Sequence, residues 1–113
     1  MPFINVKTNV SVSKEKEIAV KSALGEAITA IPGKSESWLM VGIEPDYCLY
    51  FKGTDEPAAM TEVSVYGNAS SAALSTLTQR ISDILSRELS LSPSRIYVKY
   101  EQTPDWGWNG GNF

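Results

Sequence analysis

Apolar residues recur along the chain with two different periods. Val20, Leu24, Ala27, Ile28 and Ile31 fall at i, i+4, i+7, i+8 and i+11, which is one face of an α-helix. Ser13 is a plausible N-cap for that helix, and Glu15 and Glu17 suit the positive end of its dipole. Pro32-Gly33 ends it. A second helical face is made by Leu74, Leu77, Ile81, Ile84, Leu85 and Leu89, capped by Asn68 or Ser70 and closed by Ser92-Pro93. Elsewhere the period is two. In Ile96–Tyr100 the alternation puts Ile96, Val98 and Tyr100 on one face and Tyr97 and Lys99 on the other.

The strand-like segments repeat. Phe3–Asn9 resembles Glu62–Asn68, and Ser35–Glu44 shares its apolar pattern with Ser92–Glu101, 57 positions later. Each half therefore predicts strand, helix, strand, with pseudo-repeats at about residues 2–57 and 58–113 of one domain spanning 1–113. A crossover helix makes the two strands of each unit parallel. The expected fold is α/β (α+β): two βαβ repeats forming a four-stranded sheet with two helices on one face. The other face needs cover, because Trp38, Tyr66 and Tyr97 are large to leave in water, and self-association would supply it. Short extra strands around Leu49–Phe51 and Trp106–Trp108 would suit subunit edges.

Composition narrows the chemistry. Ten Lys and Arg stand against 13 Asp and Glu, net −3, so no basic excess exists to neutralise nucleic-acid phosphates. No apolar run of about 20 residues is present to span a membrane. The N-terminal residues lack the charged-then-apolar layout of a signal peptide, so a cytoplasmic protein is expected, with leaderless export as the alternative. There is one cysteine and no histidine. Those counts exclude an intrachain disulfide, Cys/His zinc sites and histidine-based nucleophile systems. Cys48 reads as a small buried side chain in the strand-like run Tyr47–Phe51. Acid and base work near pH 7 falls to carboxylates, Tyr, Lys or the chain's α-amine.

Met1-Pro2 supplies such an amine. A small second residue permits removal of Met1, and Pro2 then carries a secondary amine with a free lone pair. An ordinary α-amine has a pKa of about 7.7–8.0. Burial and nearby positive charge both lower it, leaving a neutral base at pH 7. Lys34, after the turn at Gly33, can meet an anionic substrate. Tyr97 and Lys99 point to a cleft or a neighbour, and the tail Trp106–Phe113 sets aromatics among glycines, as an apolar pocket wall or a docked terminus would.

Together these residues identify a resemblance to the macrophage migration inhibitory factor family of the tautomerase superfamily. It rests on Met1-Pro2, Thr8-Asn9-Val10, Gly33-Lys34, Pro45-Asp46, Glu56-Pro57, Ser92-Pro93 with Arg95-Ile96-Tyr97, and Gly107-Trp108-Asn109-Gly110 with Phe113. The spacing is family-like throughout, apart from a two-residue shortening before Trp108. The resemblance implies a homotrimer with active sites at subunit interfaces. It implies keto–enol tautomerisation of phenylpyruvate-type α-keto acids, with no cofactor and no metal. Carried over by position, Pro2 is the catalytic base and Lys34 binds the substrate carboxylate or carbonyl oxygen. The backbone N–H of Tyr66 contacts the carboxylate, Tyr97 and Lys99 reach in from the adjacent subunit, and Trp38, Trp106, Trp108 and Phe113 wall the aromatic ring.

Four departures qualify the resemblance. Tyr66 replaces a smaller aliphatic residue of the mammalian cytokines, and Lys99 replaces a frequent Asn. Their Cys-x-x-Cys motif falls at Ala58-Ala59-Met60-Thr61, so thiol-disulfide chemistry is not implied. The Arg of their receptor-contacting pair is missing near Ser11-Val12, although Asp46 is kept. The alternative function is a cytokine-like module that binds a protein receptor and keeps a vestigial pocket. Dehalogenation or hydration of small acids is a further alternative. It needs a carboxylate to activate water, and Glu62 and Glu101 are the nearest by strand.

Overall fold

The computed structural model describes residues 1–113. Strand β1 (Pro2–Thr8) alternates strictly, with Pro2, Ile4, Val6 and Thr8 buried. Ser13 then caps helix α1 (Lys14–Ala27). Its backbone is extended, and its hydroxyl accepts from the Lys16 N–H at 3.1 Å. The helix tightens into a 3-10 turn (Ile28–Ala30), and the face read from the sequence is the one buried: Val20, Leu24, Ala27, Ile28 and Ile31. Pro32 and Gly33 reverse the chain. The Lys34 N–H donates to the Ile31 carbonyl at 3.1 Å, and Gly33 sits at φ 82°, the type II turn pattern that only glycine adopts freely.

A second 3-10 turn (Glu36–Trp38) leads into β2 (Met40–Glu44), which pairs parallel with β1. Strand β3 (Ala59–Tyr66) lies antiparallel on the other side of β1, with Pro2 opposite Val65. Helix α2 (Ser71–Leu89) buries Leu77, Ile81, Ile84 and Leu85. Of its two candidate caps, Ser70 is the one used. Its hydroxyl accepts from the Ala73 N–H at 3.1 Å. The helix stops at Ser90, which is left-handed at φ 57°, before Ser92-Pro93 opens another 3-10 turn (Pro93–Arg95). Strand β4 (Ile96–Thr103) pairs parallel with β3.

The sheet order is β2-β1-β3-β4. Both βαβ units are parallel within themselves, as read, and they join antiparallel at the centre. The core is one layer between sheet and helices: Ile4, Val6, Val63 and Val65 below, Val20, Leu24, Ile28, Leu77, Ile81 and Leu85 above. Burying each such side chain contributes about 1.5–3 kcal/mol, so helices with modest propensity are held by packing. The Ser70 cap is worth less. Ser70→Ala is expected to lower the unfolding free energy by about 1 kcal/mol, read as a lower urea midpoint at unchanged slope.

Two local expectations are corrected. Leu49–Phe51 forms no strand; Phe51 makes only an isolated bridge to Thr54. Cys48 is exposed, because the segment carrying it leaves the sheet and has no layer above it. The tail does form strands, but they pair with each other: β5 (Gly107–Trp108) and β6 (Gly111–Asn112) make a hairpin. Asn109 (φ 52°) and Gly110 (φ 81°) are its turn, with the two positive φ values of a type I′ hairpin. No helix is long and apolar enough to cross a membrane.

The helix-free face of the sheet is polar at its centre. Asn5 donates to the Glu44 carboxylate at 2.8 Å, and Glu62 lies 3.1 Å from Lys7 and 3.4 Å from Lys99. Strand register explains the grouping, since Glu62 stands opposite both Asn5 and Lys99. The Lys7 hydrogen bond, joined by that of Lys99, holds the Glu62 carboxyl below its usual range. A Cβ at Gly42 would fall 2.6 Å from the Asn5 side-chain oxygen, so a larger residue there would push the Asn5 amide aside.

Candidate active site

The antiparallel β1–β3 pair places the start of the chain beside the end of β3. Pro2 is buried as the first residue of β1. Just outside it, the Met1 carbonyl accepts from the Tyr66 N–H at 3.0 Å. The Ile31–Lys34 turn brings in a cation, and Lys34 Nζ donates to the Tyr66 carbonyl at 3.0 Å. That ammonium also lies 6.0 Å from the centre of the Tyr66 ring. Burial lowers the pKa of the Met1 amine from its ordinary 8.0, and the neighbouring Lys34 charge lowers it further.

Aromatic rings close around this point. Met1, Trp38, Tyr66 and Phe113 line a cavity of about 220 Å³. Trp108 meets Trp38 edge-on at 5.1 Å and lies nearly parallel to Phe113 at 6.4 Å, while Phe113 tilts against Tyr66 at 5.3 Å. These separations are those of favourable aromatic pairs. The Asn109-Gly110 turn explains how the tail contributes, since it folds Trp108 and Phe113 back onto Trp38 and Tyr66. Trp106 is half-buried and does not line the cavity; its carbonyl accepts from the Phe113 N–H at 3.0 Å and so ties down the tail.

Tyr97 and Lys99 lie elsewhere within one chain. Tyr97 stands opposite Met60, six residues along β3 from Tyr66, or about 20 Å at strand rise. It is 59% exposed and packs on Phe51 at 4.7 Å. Lys99 is engaged with Glu62. That ion pairing also occupies Glu62, one of the two carboxylates considered for activating water, and Glu101 is exposed on β4.

A sequence model of the macrophage migration inhibitory factor (MIF) family matches residues 1–113. The chain belongs to the MIF family. It is 30% identical over 115 residues to the macrophage migration inhibitory factor of Meriones unguiculatus, covering 100% of this chain and 99% of that protein. The solved MIF2 of Leishmania major superposes with a TM-score of 0.93 at 31% identity, over 100% of this chain and 97% of the other. The structure of Pt0534 inactivated by 2-oxo-3-pentynoate shares the fold, with a TM-score of 0.85 at 17% identity over 96% and 93% of the two chains.

Within this MIF-family fold, two features at the site lay outside the sequence reading. Met1 itself lines the aromatic cavity, and its carbonyl occupies the Tyr66 N–H. The hairpin turn was available in the dipeptide Asn109-Gly110, a strong local signal for a two-residue turn.

Proposed function

We propose that the chain is a keto–enol tautomerase acting on a small anionic α-keto acid of the phenylpyruvate type, with Pro2 as general base after Met1 is removed. The observation that carries this reading is the position of Met1. In the intact chain the Pro2 nitrogen is an amide and has no basic lone pair. Loss of Met1 would make three changes at once. It converts that nitrogen to a secondary amine, releases the Tyr66 N–H, and vacates one wall of the aromatic cavity.

The chemistry then follows from charge. Pro2 takes a proton from the carbon beside the carbonyl, and an enolate develops. Lys34 spends one of its three donors on the Tyr66 carbonyl and keeps the others for the substrate's oxygens. The freed Tyr66 N–H binds the carboxylate. Donors fixed beside a developing anion in an apolar site stabilise it more than water does. Pro2 returns the proton at the other end of the keto–enol system, so no oxidant or reductant is consumed. Trp38, Trp108 and Phe113 hold the apolar end of the substrate. Tyr97 and Lys99 complete the site from an adjacent subunit of a homotrimer, a role supported for Tyr97 by its 59% exposure and its place about 20 Å along the sheet from Tyr66 in its own chain. The inactivation of Pt0534 by 2-oxo-3-pentynoate, itself an α-keto acid, agrees with this substrate class.

The test is the ketonisation rate of enol phenylpyruvate with protein shown by mass to begin at Pro2. A rate well above buffer is expected. A rate equal to buffer overturns the reading. The relatives' name, macrophage migration inhibitory factor, favours a second reading, a cytokine-like module that binds a protein receptor. Against it, Asp46 is already bonded by the Ser11 hydroxyl at 2.6 Å, and the Arg of the mammalian pair is missing near Ser11-Val12.

A further inference from the structure

Between β2 and β3 the chain runs through a long segment with almost no regular structure. Its one tight turn is Phe51–Thr54, closed by paired backbone bonds of 2.9 and 3.1 Å, with Lys52 at φ 54° and Gly53 at φ 77°. Beyond that turn the loop makes no backbone bonds of its own, and two side chains hold it from outside. Asn9 donates to the carbonyls of Leu49, Asp55 and Glu56 at 3.0–3.1 Å, and its own oxygen accepts from the Ala58 N–H at 2.9 Å. Arg95 donates to Phe51 at 2.9 Å, Glu56 at 2.8 Å, Pro57 at 3.2 Å and Thr54 at 3.4 Å. All three guanidinium nitrogens are used. A lysine at this position has one nitrogen and cannot span those carbonyls.

The loop's ring is the link to Tyr97. Phe51 sits with the Arg95 guanidinium 5.2 Å from its centre and the Tyr97 ring 4.7 Å away. Tyr97 is two residues beyond Arg95, which ends the 3-10 turn leading into β4, and it borders a small apolar hollow formed with Leu49, Tyr50, Phe51 and Met60.

We propose that Arg95, with Asn9 holding the opposite side of the loop, is a positioning residue for Tyr97: it seats Phe51 as the backing that fixes the Tyr97 ring. This inference rests on the reading that Tyr97 contacts substrate in a neighbouring subunit's site. Arg95 touches no substrate. Its effect passes through Phe51, so it falls on substrate binding and disappears when the Tyr97 ring is absent.

The experiment uses chains beginning at Pro2, with Arg95→Lys and Phe51→Leu each made alone and over Tyr97→Ala. Each single variant is expected to raise KM for enol phenylpyruvate about tenfold with a smaller change in kcat. Over Tyr97→Ala, neither adds a further change. Phe51→Leu leaves every carbonyl contact in place, so it carries the test if Arg95→Lys fails to fold. An unchanged KM in the single variants, or equal losses with and without the Tyr97 ring, overturns the inference while the tautomerase reading stands. A parent chain with no rate above buffer overturns both.

Discussion

Pro2→Gly in the processed chain is expected to reduce ketonisation of enol phenylpyruvate by about 10²–10⁴-fold, the usual worth of a positioned general base. Glycine still presents an α-amine, so the loss is one of placement. The Pro2 ring is buried at the head of β1, opposite Val65, and it fixes the nitrogen bonded to Met1, which lines the aromatic cavity. Glycine buries no side chain there and samples far more backbone conformations, so its amine spends little time aimed at the substrate carbon. A chain that retains Met1 is expected to be equally inactive for a different reason. Its Pro2 nitrogen is an amide, and the Met1 carbonyl holds the Tyr66 N–H. The measurement is initial rate with each N-terminus verified by mass. An unchanged rate in Pro2→Gly would remove Pro2 from the mechanism. A receptor complex that forms equally well with Pro2→Gly would favour the binding-module reading.

What the sequence made legible divides along the range of the interactions involved. Both helices were legible because their cores recur at helical spacing, and the buried residues Val20 to Ile31 and Leu77 to Leu85 are those the spacing selects. Ser13 was legible as a cap because capping is local. The facing of Tyr97 and Lys99 followed from strand alternation alone. The antiparallel meeting of β1 and β3 was not legible, because no hairpin joins them and strand order is a matter of tertiary packing. Cys48 was misplaced for a related reason: an apolar run such as Tyr47–Phe51 resembles a strand, and only the rest of the fold decides whether it is paired. At the site, the base at Pro2 and the anion-meeting Lys34 were read from the residues themselves, and the role of the Tyr66 N–H came from resemblance. The proximity of Lys34 and Tyr66 across 32 residues of sequence is a product of the sheet and the Ile31–Lys34 turn. The loop held by Asn9 and Arg95 is the clearest case of what sequence conceals. Those bonds run over 38–47 residues to backbone carbonyls, which every residue has, so nothing in the partner's identity signals them.

Lys34→Ala is expected to lower kcat/KM by about a hundredfold and to move the ascending limb of its pH profile upward. The first effect is the loss of a donor aimed at the developing enolate and the substrate's anionic group. The second has a definite sign. Pro2 works as a base only when neutral, so activity rises as pH climbs through the pKa of its amine. In the intact chain Lys34 disfavours the charged form of the Met1 amine, whose pKa lies below its ordinary 8.0, and the same charge is expected to act on a Pro2 amine one residue along. Removing the lysine lets the pKa rise, and more alkali is needed to reach the neutral form. The return is expected to be partial, because burial, the larger cause of the depression at the Met1 amine, survives the substitution. Lys34→Arg separates the two effects. It keeps the cation, so its limb should stay near the parent's, while its longer planar fork sets the charge and donors differently beside the Tyr66 carbonyl and its rate should still fall. A profile recorded from about pH 5 to 9 decides the matter, since that window spans the ordinary amine range. If Lys34→Ala loses rate with an unmoved limb, Lys34 binds substrate without tuning the base, and burial alone sets the basicity of Pro2.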